Sequence, residues 1–165
     1  MKLRCFCPDF TGEEFDNLDL KEIDLSGRSF YMLKTPMVSH FPINPEIKIE
    51  KTLRELEEKG YQTVSPLFAL FEDGLLVGNI MVEIVKPSVI VKPSVKDSNV
   101  KTFDKLKLMG KAYTGPRYLV PKALKKFDGY LMSKQIMTND FFFWYHSCKV
   151  CEKQKGGRAV ILAKI

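Results

Sequence analysis

NPEIKIEKTLRELEEKGYQTVSPLFALFEDGLLVGNIMVEIV, residues 44–85, decides the fold class. Ile49, Leu53 and Leu56 recur at helical spacing, while Glu50, Lys51, Arg54, Glu55, Glu57 and Glu58 occupy the opposite face. That is the pattern of an amphipathic helix. Asn44 stands where a helix cap belongs, Pro45 follows at the first helical position, where a missing N–H costs nothing, and Gly60 can close the far end. Two strands are then expected, 67–71 and 77–85, joined by the turn residues Glu72, Asp73 and Gly74. Upstream, 30–41 is rich in aromatic and β-branched residues and reads as a strand bent near Pro36, which cannot donate to a ladder.

Working outward, VKPSVIVKPSVKDS (85–98) carries two prolines among β-branched residues, which excludes a helix or a central strand. It reads as an extended linker, 86–98, between halves 29–85 and 99–165. Beyond it the order of elements recurs: a strand over 100–113, a helix over 118–133, and strands over 141–145 and 159–165. Val120, Leu124 and Phe127 fall where Ile49, Leu53 and Leu56 fell; Phe141 then matches Leu67, Ile161 matches Ile80, and Lys164 matches Glu83. The expected fold is therefore α+β, a duplicated β-α-β-β unit with a groove shared between its halves. Residues 1–28 mix turn formers with Asp9, Glu13, Glu14, Asp16 and Asp19 and read as an irregular N-terminal extension. The hairpin 146–158, with its lysines and Gly156-Gly157, is the candidate mobile flap.

A chain of 165 residues that is 45% hydrophobic suits one core. No apolar run approaches the roughly 20 residues of a membrane span, and no signal-peptide pattern opens the chain, so no membrane association and a cytoplasmic location are expected. The net charge of +6 would suit a polyanion if the lysines shared a face. They are dispersed, and no helix-turn-helix, zinc-finger or RNA-binding signature is present, which argues against nucleic acid.

The four cysteines fall as Cys5 and Cys7, then Cys148 and Cys151. A CxC with a distant CxxC can in principle supply four thiolates to zinc, with His146 as an extra ligand. Neither pair sits in a glycine-rich knuckle, however, so reduced surface or core thiols are the favoured reading, with no metal and no cofactor. Cys148 follows an aromatic strand instead of opening a helix, which disfavours a redox motif.

The run 51–74 followed by NIMVEIVKPS (79–88), together with GKAYTGPRYLVPKALKKFDGYLMSKQ (110–135), resembles the GyrI-like effector-binding domains of multidrug-sensing bacterial regulators. The resemblance implies a SOUL-like, pseudo-twofold fold: a concave antiparallel sheet with two helices on one face and a ligand groove lined by aromatic rings. Carried onto this sequence, it implies a ligand site at Glu83, Phe68, Phe71, Tyr113, Tyr118, Phe142, Trp144 and Tyr145. The sequence departs from that family in its last strand, where Lys164 occupies the position of the cation-sensing glutamate and 159–165 contains no acid.

Alternation sets Glu83 apart in facing from Val82 and Ile84. In an aromatic groove its pKa would rise, suiting cation binding or acid-base chemistry; the plainer reading is a strand carboxylate paired with Lys164. The block Phe141–Tyr145 must place rings on both faces of its strand, Phe142 and Trp144 on one. His40 and His146 lack an evident nucleophile partner, and no Ser-His-Asp set, phosphate loop or paired carboxylates occur. The leading expectation is a standalone, non-enzymatic protein that binds a small hydrophobic ligand. Its alternatives are a protein-interaction module of inhibitor or antitoxin type, with a protein partner, and a hydrolase using Glu83.

Overall fold

The computed structural model describes residues 5–85 and 97–165; the expected linker therefore lies outside the described residues over 86–96. In chain order the elements are α1 (Gly12–Asp16), β1 (Glu22–Asp24), β2 (Ser29–Val38), β3 (Phe41–Pro42), α2 (Pro45–Glu58), β4 (Ala69–Glu72) and β5 (Val77–Ile84). There follow β6 (Val100–Thr102), β7 (Lys107–Thr114), α3 (Val120–Ser133), β8 (Phe141–Tyr145), α4 (Lys149–Lys155) and β9 (Arg158–Lys164). Among the described residues nine strands form one open sheet in a mixed α/β architecture, in the order β1-β7-β9-β8-β4-β5-β2-β3 with β6 also on β2, and every pairing among them is antiparallel.

Both faces of the sheet are covered, and β8 shows why. Phe141 and Phe143 point into one cluster, with Tyr31, Phe71, Ile80 and Ile161, and meet Leu56 of α2 and Val120, Leu124, Phe127 and Leu131 of α3. Phe142 and Trp144 point the other way, joining Phe30, Phe68, Leu70, Met81 and Leu162 beneath Phe15, Leu25 and Leu106. An unbroken aromatic strand needs apolar cover on each side, and here two helices supply one cover and the N-terminal chain the other. At about 1.5–3 kcal/mol for each large side chain removed from water, each cover contributes substantially to stability.

Several local expectations are corrected. The face on which the resemblance implies a ring-lined groove is closed at Trp144, which lies edge-on to Phe68 at 4.6 Å and to Phe10 at 5.7 Å. The 100–113 strand is two strands with different partners, because β6 pairs with β2 whereas β7 lies between β1 and β9. The 146–158 segment holds α4 rather than a bare flap. Asn44 adopts a left-handed conformation, with φ of 48°, and makes no side-chain cap, although Pro45 does open α2. Within 1–28, Thr11 and Glu14 form a reciprocal capping box on α1, which turns Phe15 into the core.

Candidate functional site

β7, α3 and the chain around Leu20 enclose a groove of about 550 Å³, the volume of a small-molecule site. Its apolar surfaces are Leu20, Ala112, Leu119, Ala123 and Phe127; Tyr113 and Tyr130 add rings, and Lys111, Lys122 and Lys126 add cations. Lys122 and Lys126 stand one turn apart on α3, so both ammonium groups reach the same side. Among the described residues neither has a carboxylate at ion-pair distance. Lys111 Nζ instead pairs with Asp19 at 2.8 Å, and the same carboxylate accepts the N–H of Ala112 at 3.0 Å.

Two backbone features build the groove wall. At Gly110 a Cβ would lie 2.6 Å from the carbonyl oxygen of Leu18, so only glycine lets residues 18–20 run this close to β7. Leu20 is held at φ of 55°, a costly conformation for a bulky residue, by donating its N–H to the Gly110 carbonyl at 2.7 Å. Held strain of this kind concentrates at functional sites.

A second polar cluster lies between α2 and the 3₁₀ turn Arg117–Leu119 that leads into α3. Arg117 donates to Glu46 Oε1 at 2.7 Å and to the Ser147 carbonyl at 2.7 Å, while Glu46 also accepts the N–H of Lys149 at 3.1 Å. Burial opposes ionisation of Glu46, but the guanidinium and these donors outweigh it and hold the carboxyl below its usual range. Arg117 also lies over the ring of Tyr145. The buried Tyr145 hydroxyl has no hydrogen-bond partner among the described residues, and its burial pushes the phenol well above its ordinary pKa. Nearby, His40 Nδ1 meets the Asp73 carboxylate at 2.8 Å.

The third cluster is of sulfur. The Sγ atoms of Cys5, Cys7, Cys148 and Cys151 all lie within 4.8 Å of one another. His146 takes no part: it packs against the rings of Phe10, Phe15 and Trp144, and burial, aided by the charge of Arg158, lowers its imidazole to about 4.

Of the expected ligand residues, only Tyr113 reaches the groove. Glu83 is buried on β5 and pairs with Arg28 at 3.4 Å instead of Lys164, which pairs with Asp140. Phe68, Phe142 and Trp144 lie in the cluster under the N-terminal chain, Phe71 and Tyr145 lie on the helix side, and Tyr118 is exposed. Sequence reasoning missed Lys111, Lys122, Lys126 and Asp19. The one available signal was the pair Lys122 and Lys126 in KALKKF, at i,i+4 beside the apolar stripe of α3.

Fold and site define a small α/β protein with one cation-rimmed groove of substrate size among its described pockets. A family model described as bacterial hydrolase matches residues 2–165, and the chain belongs to that family. No curated protein and no solved structure matches it. The family assignment overturns the GyrI-like, effector-binding resemblance and, with it, the leading expectation of a standalone hydrophobic-ligand binder; the hydrolase alternative is the one it favours. No helix among the described residues is long and apolar enough to cross a membrane.

Proposed function

We propose that this protein is a hydrolase whose substrate, an apolar body bearing an anionic group, lies in the groove between α3 and β7. The groove itself carries the reading: its volume, apolar floor and lysine rim suit such a molecule. Lys122 and Lys126 pair with the anionic group, and Lys111 faces the oxygen on which negative charge develops as water adds to the scissile centre. Asp19, bonded to Lys111, takes the proton of that water, and the proton passes on to the leaving group as the bond breaks. Family membership supports hydrolysis as the reaction class. The element order β2-α2-β4-β5 and β7-α3-β8-β9 supports reading the two halves as copies of one unit. Four free cysteines support a reducing, cytoplasmic setting.

The His40–Asp73 pair favours a second reading, with His40 Nε2 as the base that deprotonates water while Asp73 orients the ring. A panel of chromogenic esters and phosphoesters, each with and without a carboxylate, separates the two. Under the first reading, Lys122→Ala and Lys126→Ala each raise KM for anionic members about tenfold, a loss of about 1.4 kcal/mol, and spare neutral ones, while His40→Ala is nearly silent. Loss of turnover in His40→Ala with normal lysine variants establishes the second. No turnover of any member refutes both.

A further inference from the structure

We propose that Cys5, Cys7, Cys148 and Cys151 form a tetrathiolate zinc site that ties the N-terminal chain to the junction of β8 and α4. This inference is independent of the hydrolase reading. Zinc binds thiolate sulfur at about 2.3 Å in a tetrahedron, which sets the sulfurs about 3.8 Å apart. Cys5 Sγ lies 3.6 Å from Cys151 Sγ and 3.9 Å from Cys148 Sγ, and the full set spans no more than 4.8 Å. Two pairs more than a hundred residues apart in sequence thus converge close to the spacing that one tetrahedral ion requires. The N–H of Cys148 donates to Cys7 Sγ at 2.9 Å, the kind of outer hydrogen bond that holds a ligating sulfur in place.

The donor set selects the ion and its role. Four sulfurs without a carboxylate exclude calcium and magnesium, which take oxygen ligands, and favour zinc. Four protein ligands leave no open position, so the ion holds structure and does not activate water. A disulfide between Cys5 and Cys151 is the competing use of these atoms. It would draw two sulfurs to about 2.05 Å and leave Cys7 and Cys148 clustered without purpose.

What the site holds is the segment from Cys5 to Pro8. Phe6 and Pro8 line a small cleft together with Ile49, Leu67 and Tyr145, so the ion fastens this segment beside the helix-bearing face. Beyond Pro8 the chain passes to the opposite face, where Phe10 meets Trp144.

The full-length protein, purified under reducing conditions without chelator, should contain about one zinc per chain, and exchange into cobalt should give the intense charge-transfer absorption of thiolate ligation. Cys5→Ser and Cys148→Ser should each lose most of the metal. A strong chelator should lower the melting temperature of the wild-type protein, a readout that does not depend on the variants folding. Absence of zinc with all four thiols freely titrating, iron in its place, or a Cys5–Cys151 disulfide found by mass would each overturn the assignment.

Discussion

Replacing Arg117 by methionine removes the guanidinium from a buried cluster while keeping most of the aliphatic stem, and the consequence can be worked out from its contacts. Arg117 and Glu46 are 12% and 8% exposed at their side chains, so neither charge has water to fall back on. Breaking a buried pair by removing one partner typically costs about 3–5 kcal/mol, because the remaining charge is left uncompensated. Glu46 keeps its backbone donors, its own N–H and that of Lys149, which places Arg117→Met near the lower end, at about 3 kcal/mol. In a chain of this length that corresponds to roughly 10 °C in Tm. Glu46→Gln/Arg117→Met, which removes both charges, should lose clearly less than the sum of the single variants, with a coupling of about 2 kcal/mol. The pH dependence carries a sign. In the wild type Glu46 has a depressed pKa, so its contribution is present above the unfolded carboxyl value and is lost as pH falls through the folded one. In Arg117→Met the cation is gone and burial raises the same carboxyl instead, so the variant is penalised most at neutral pH and recovers as the group takes up its proton. The two stability curves should therefore converge on acidification. Urea titrations followed by the fluorescence of Trp144, the single tryptophan, give both quantities. An Arg117→Met loss below about 1 kcal/mol, or a gap between the curves that does not narrow as pH falls, would refute the reasoning.

Two further outcomes follow from single contacts. His146→Phe should raise stability by about 1 kcal/mol in the same titration, because both imidazole nitrogens are buried without a partner among aromatic rings that would accept a phenyl group. Gly110→Ala should push residues 18–20 away from β7, lower the urea midpoint and disturb the groove, cutting turnover of anionic substrates at least about tenfold under conditions where the variant remains folded; unchanged kinetics there would count against the groove as the reaction site.

Legibility in the sequence followed periodicity and failed where placement depended on distant partners. α2 and α3 could be read from Leu56 and from Val120, Leu124, Phe127 and Leu131, because an apolar stripe at helical spacing is a local signal. β8 could be read from five consecutive rings, which even implied that both faces would be occupied. What covers Phe142 and Trp144 was not legible, since Phe15 and Leu25 carry no mark of the strand they will meet. The same holds for the sulfur cluster, where CxC and CxxC each look weak alone and only the passage of the chain from one face to the other joins them. The groove escaped for a different reason. Lys111, Lys122 and Lys126 are ordinary surface lysines by composition, and their convergence depends on α3 packing beside β7, a tertiary contact that no local pattern announces.

Those failures share one segment. Residues 5–28 supply two of the four thiols, the rings of Phe10 and Phe15 over one sheet face, and Leu20 in the groove wall. Removing them would strip cover from Phe30, Leu70, Met81, Phe142, Trp144 and Leu162 together, a contiguous apolar face far larger than scattered surface hydrophobics. A chain beginning at residue 29 should therefore lose its cooperative urea transition and bind hydrophobic dyes, whereas Phe15→Ala, which opens a single cavity, should cost about 3–5 kcal/mol and keep the transition. If the shortened chain unfolded cooperatively at a similar midpoint, the N-terminal cover would be an accessory, and the burial of Phe15 and Leu25 would contribute little to the fold. The expectation is the opposite, because the two long helices among the described residues, α2 and α3, both pack on the other side.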